Sequence, residues 1–158
     1  TLLRSGASAS TTGLLIAGYG VSVVIWSQVA RRAAGRVSVL RAMSFGGALL
    51  VLSWTAVAID PGPYGVFFAS LAMGATIVMF HANLQVWATQ AAPHARGPGI
   101  AFFSGSLFVG ASLGTRLARP LFDEGRLSLL FGLGAAVALV VTVVSVLARE
   151  RSLRAPSA

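Results

Sequence analysis

Groups able to do acid–base or metal chemistry are scarce in this 158-residue chain: two histidines, four carboxylates and no cysteine. Asp60, Asp123, Glu124 and Glu150 all fall at the edges of apolar runs, and none joins a histidine at metal-ligand spacing. The lack of cysteine removes thiolate ligands, thiol nucleophiles and disulfides. Neither a Walker loop nor a serine-nucleophile motif is present, and Gly18-Tyr19-Gly20 and Gly132-Leu133-Gly134 lack the third glycine of a dinucleotide loop. These absences predict a protein that is not an enzyme and that holds neither a metal nor a cofactor.

His81 stands apart as the one ionisable residue well inside an apolar run. An ionisable group in hydrocarbon is costly and turns to a cavity or a polar partner. Gln85 follows it by four residues and Gly74 precedes it by seven, which at helical spacing makes one stripe, with Asn83 and Trp87 on a neighbouring one. His81, Asn83, Gln85 and Thr89 thus give this segment a polar side, whereas Ser128, Thr142 and Ser145 are scattered among Leu, Val and Ala. Two roles fit such a side: lining or gating a cavity, and hydrogen bonding between helices. Imidazole's ordinary pKa of about 6.5 makes a coupling proton at His81 chemically possible as well.

The surroundings of these residues are set by a chain that is 56% hydrophobic and 10% charged, where soluble domains carry about 25% charge. Its mean hydropathy is +0.81. Lipid is the solvent that suits such a surface, so the bilayer is an expected partner. Five segments, at about 12–30, 37–59, 64–87, 99–117 and 127–147, have the roughly 20 residues needed to span a hydrocarbon core of about 30 Å. Their apolar runs are continuous and do not alternate, which favours helices over barrel strands. The expected fold is all-α: a polytopic membrane bundle of about five transmembrane helices. Breaks are expected at Arg31 to Arg36, at Asp60-Pro61-Gly62-Pro63, at Pro93 to Pro98 and at Pro120 to Arg126.

The formal charge of +8 comes from twelve basic residues, all arginine, grouped between uncharged runs and not along a binding face. That spacing suits headgroups and excludes nucleic acid as the expected partner. With Thr1 outside, the cytoplasmic set is Arg31, Arg32, Arg36, Arg41, Arg96, Arg149, Arg151 and Arg154. Arg4, Arg116, Arg119 and Arg126 fall outside, together with Asp60, Asp123 and Glu124. Retention of positive residues on the cytoplasmic side then predicts the N-terminus out and the C-terminus in. The start at Thr1, without methionine or a signal-peptide pattern, reads as internal to a longer protein.

The most specific stretch is Phe80-His81-Ala82-Asn83-Leu84-Gln85-Val86-Trp87-Ala88-Thr89-Gln90-Ala91-Ala92-Pro93-His94-Ala95-Arg96-Gly97, followed by Ala101-Phe102-Phe103-Ser104 and the glycine-rich run from Gly105 to Gly114. It resembles the tenth helix, the next cytoplasmic loop and the eleventh helix of drug- and sugar-efflux permeases of the major facilitator superfamily. In that register the whole chain resembles the eighth to twelfth helices, a C-terminal transmembrane half with the N-terminal half absent. Ala30-Arg31-Arg32-Ala33-Ala34-Gly35-Arg36 is similar to a degenerate copy of the superfamily's cytoplasmic gating motif, with Ser27 in place of the first glycine and no aspartate. Arg31, Arg32, Arg36 and Arg96 are therefore expected in the cytoplasmic gate loops, or as plain positive-inside anchors.

The resemblance implies secondary active transport, most naturally efflux by an antiporter, of a small organic solute across a bacterial plasma (inner) membrane by alternating access. It places His81, Asn83, Gln85 and Thr89 on a cavity-lining helix. Proton-coupled relatives rely mainly on acids in the half not present here. Ser106, Gly110 and Gly114 form a small-residue ladder, and Gly18 and Gly20 give the first span a lean surface. These positions suit either docking of the missing N-terminal half or close packing within the chain. Phe102, Phe103 and Phe108 are read as lipid or helix contacts, and Trp26, Trp54 and Trp87 as interfacial anchors or packing residues. A truncated non-transporting membrane protein, or a helical interaction module, is the alternative.

Overall fold

The computed structural model describes residues 9–90 and 95–154, apart from the side chains of 9–12 and 14–16. These residues form five helices: α1 (Ala9–Ala33), α2 (Val39–Ile59), α3 (Pro63–Gln90), α4 (Arg96–Asp123) and α5 (Leu127–Arg154). No strand occurs among the described residues. Helix α3 is α-helical over Pro63–Thr76 and Ala82–Gln90, with a π-helical turn at Ile77–His81 between them. Helices α2 to α5 are each long and apolar enough to cross a membrane, as an integral membrane protein requires. The first expected span, 12–30, lies within α1, which is not among these four helices; the side chains of Thr12 and of 14–16 are outside the described residues.

The turns follow from local chemistry. Gly35 and Gly125, with φ of +79° and +74°, take the left-handed conformation that closes the α1–α2 and α4–α5 connections. Ser38 caps α2 by accepting from the Arg41 N–H at 3.3 Å. Asp60 serves the next helix: its Oδ1 accepts from the Gly62 N–H at 2.8 Å and its Oδ2 from the Gly65 N–H at 3.2 Å. A carboxylate there also matches the positive end of the helix dipole. Gly65 must be glycine-sized, since a Cβ would sit 1.8 Å from the Asp60 carbonyl oxygen.

Two breaks expected at proline are displaced. Pro120 lies inside α4, which continues to Asp123 before turning at Glu124 to Arg126. The proline forfeits one bond, to the carbonyl of exposed Arg116, so close to the helix end that solvent compensates. Pro98 lies in the first turn of the same helix, where no N–H needs an intrahelical partner. The Pro93 and His94 part of that break is outside the described residues. Helix α5 runs on past the expected limit of 147 to Arg154.

Helix α2 is the centre of the bundle, packing along α3 on one side and α5 on the other. Its register with both is antiparallel: Gly46 meets Met79 and Phe80 of α3, Gly47 meets Thr142 of α5, and Trp54 meets Gly134 of α5. Contact is backbone-close. A Cβ on Gly46 would lie 2.7 Å from the Phe80 nitrogen, and one on Gly47 would lie 2.2 Å from Thr142 Cγ2. At the same level Thr76 Oγ1 donates to the Gly46 carbonyl at 3.0 Å and Thr142 Oγ1 to the Gly47 carbonyl at 3.3 Å. Small residues permit the approach, and the hydroxyls exploit it, because lipid supplies no competing donors. Met43 and Ser53, both on α2, are the largest fully buried side chains.

Helix α1 lies parallel to α3, with Gly18 against Phe67 and Leu71, and Ser22 donating to the Leu71 carbonyl at 2.5 Å. Trp26 packs on Phe45 of α2, with ring centroids 5.3 Å apart. Helix α4 is the outlier. It has no buried residue and touches chiefly the last turns of α3 and a little of α5.

Candidate functional site at the π turn of helix 3

The π turn divides α3 into two environments. Before it, Gly74, Ala75 and Thr76 are buried against α1 and α2. After it, Ala82–Gln90 contains no buried residue and packs mainly against α4. A π turn accommodates an extra residue, so positions beyond it are rotated by roughly 100° relative to an unbroken α-helix.

That rotation corrects one expected alignment. Gly74 does not share a stripe with His81: it packs against Ser22 and Val23 of α1, whereas the His81 ring rests on Phe103 of α4, centroids 5.6 Å apart and planes at 45°. His81 is half-buried and closes the π turn. Asn83 turns its amide back on its own helix, donating to the Met79 carbonyl at 2.8 Å. A π turn loosens the usual i to i−4 ladder, and an amide donor at this point satisfies one of its carbonyls. Thr89 likewise donates to the Val86 carbonyl at 2.7 Å, and Gln85 is exposed. The four polar residues therefore share a segment, but only His81 reaches a neighbouring helix through an aromatic contact.

Below them, the end of α3 is joined to α5. Arg149 lies over the Trp87 ring at 5.4 Å and reaches Gln90 Oε1 at 3.4 Å. A cation over an indole face is favourable, by about 0.5–1 kcal/mol at exposed sites. The anchor role expected for Trp87 thus includes a tie between two helices. Trp54 packs on Phe131, with centroids 5.8 Å apart, and on the Gly134 backbone.

The arginines of the expected gate loops are dispersed at the same end of the bundle. Arg31 bonds the Gln28 side chain on its own helix. Arg32, Arg36 and Arg96 are exposed, and among the described residues no carboxylate lies within ion-pair distance of them.

The small-residue positions divide. Gly18 is in ordinary contact with α3, while Gly20, Gly105, Gly110 and Gly114 have open space where a Cβ would go. Ser106 is exposed and donates to the Phe102 carbonyl of its own helix. Close packing of the α4 ladder within this chain is therefore not what the structure contains. An open concavity on α4, lined by Ala111, Ser112, Thr115, Arg116 and Arg119, lies beside that ladder and away from His81. Phe102 and Phe108 are strongly exposed, in keeping with lipid contact, and Phe103 turns inward to His81.

Sequence reasoning missed Gly46, Gly47, Thr76 and Thr142, which hold the bundle together, and Ser22, which ties α1 to α3. A signal was present: a Gly-Gly pair in one apolar run and isolated hydroxyls in two others are what close crossings use. No protein-family model matches the chain, and neither curated proteins nor solved structures provide a match.

Proposed function

We propose that this chain is the C-terminal part of a major facilitator superfamily transporter, which moves a small organic solute out of the cell by alternating access. The observation that carries this reading is the change of packing along α3. Up to Thr76 the helix is locked to α2; beyond the π turn it leans on α4, itself held by few contacts. Alternating access requires helices that shift around a fixed frame, and π turns recur where helices do functional work. The contact of His81 with Phe103 at this boundary supports a gating role for it. The resemblance of residues 80–97 and 101–114 to the tenth and eleventh helices of efflux permeases supports the same reading.

One observation favours a second reading, that of a non-transporting interaction module. The face of α4 bearing Ser106, Gly110 and Gly114 is bare, a surface on which another helix fits. The size of the native protein in its own membranes, detected with an antibody to residues 149–158, separates the two. A species carrying about twelve spans, with ethidium efflux from cells that express it, upholds the transporter. A species no larger than this chain, with no efflux, leaves the module.

A further inference from the structure

The two ends of the bundle differ in how their charges are satisfied. At the end where α1, α3 and α5 finish and α2 and α4 begin lie Arg31, Arg32, Arg36, Arg41, Arg96, Arg149, Arg151 and Arg154. They share one carboxylate, Glu150, which Arg154 already engages. At the other end Arg119 pairs with Asp123 and Arg126 with Glu124, each at 3.6 Å, and Asp60 is used to cap α3. The first end is therefore strongly positive with arginines exposed, while the second is close to neutral.

These arginines top apolar stripes that face outward. On α5, Val140, Val144 and Leu147 are exposed and lead at helical spacing to exposed Arg151 and Arg154. On α1, Val21 and Ile25 lead in the same way to Arg32. Near this end Trp26 lies one to two turns before Arg31 and Arg32 on α1, and Trp87 lies directly beneath Arg149, as residues of an interfacial belt do. The Nε of Arg149, stacked on Trp87, is buried without a hydrogen-bond acceptor.

We propose that the arginine-bearing end is a binding surface for anionic phospholipid. The lipid phosphates lie on the guanidinium groups and the acyl chains lie along the stripes of α1 and α5. Charge complementarity selects an anion, and the apolar stripes beneath the arginines select an amphiphile over a free phosphate. The proposal rests on the reading of α2 to α5 as membrane-spanning, which extraction of the membranes with alkaline carbonate tests separately.

The chain is reconstituted in phosphatidylcholine vesicles, and its tryptophan fluorescence is quenched with brominated phosphatidylglycerol or brominated phosphatidylcholine. The expected result is a preference of about threefold or more for the anionic lipid at low salt, falling towards one at high salt. The exposed triple variant Arg32→Gln, Arg36→Gln, Arg151→Gln should lose most of that preference. Arg116→Gln, Arg119→Gln, Arg126→Gln, which removes equal charge at the other end, should keep it. Equal quenching by both lipids, or equal loss in both variants, overturns the proposal. So does displacement of the anionic lipid by millimolar inorganic phosphate, which would assign the surface to a free anion.

Discussion

Gly47 and Gly110 are both glycines in apolar helices, each followed by alanine, yet they occupy opposite extremes of packing. At Gly47 an added methyl group would collide with Thr142, while at Gly110 it would meet nothing within 4 Å. Around the first, helix backbones touch and two threonines donate to glycine carbonyls across the contact. Around the second, side chains point outward and hydroxyls such as those of Ser106 and Thr115 bond only their own helix. The same residue type thus marks a completed interface in α2 and an open surface in α4. Composition cannot separate the two, because a glycine is defined only by what comes close to it.

The largest effect that would sharpen this contrast is expected at the centre. Gly47→Leu should destabilise the bundle by about 3 kcal/mol or more, because the β-branched Thr142 puts its Cβ 3.1 Å from the added carbon, so turning its methyl away relieves only part of the clash. Unfolding in mixed micelles measures it, and a near-parental midpoint would show that α2 and α5 separate easily. His81→Ala comes next: under the transporter reading proposed above, solute transport should fall by roughly tenfold, equivalent to about 1.4 kcal/mol of barrier, with little change in membrane abundance. Equal losses of transport and abundance would make the contact with Phe103 a packing contact.

Smaller effects test the hydroxyls. Thr76→Val should cost about 0.6 kcal/mol, rising at most to about 1.7, the range for hydrogen bonds between membrane helices. Thr115→Val, whose hydroxyl bonds the Ala111 carbonyl within α4, should change stability by less than about 0.5 kcal/mol. If the two variants unfold alike, the link from Thr76 to Gly46 contributes nothing specific. Gly110→Leu should likewise leave the stability of this chain within about 0.5 kcal/mol of the parent while, under the proposed transporter reading, impairing transport or assembly. Unchanged transport would remove any role for close approach at α4.

The helices were legible because hydrocarbon length and unbroken apolarity constrain them strongly. The segments around 37–59 and 127–147 each fall within or close to an observed helix, and Asp60-Pro61-Gly62-Pro63 marks a real turn. Pro120 misled because proline's cost depends on how far it stands from a helix end: only three residues of helix follow it, and the carbonyl it leaves unbonded belongs to exposed Arg116. Among site residues, the polarity of His81, Asn83, Gln85 and Thr89 was visible, but their directions were not. A periodic count assumes 3.6 residues per turn, and the π turn at Ile77–His81 breaks that assumption within the very segment where the polar residues lie. Asn83 donates to the Met79 carbonyl, a bond that a helical wheel does not show.

By itself the sequence determined that the chain is helical, that its surface suits lipid, and that most of its arginines collect at one end, since each follows from length, composition and order along the chain. Tertiary structure decided which glycines are contacts, which hydroxyls cross between helices, and which helix stands apart. Those properties depend on distances between residues far apart in the chain, such as Gly47 and Thr142, and on one extra residue in a turn that rotates everything after it. A one-dimensional pattern carries neither.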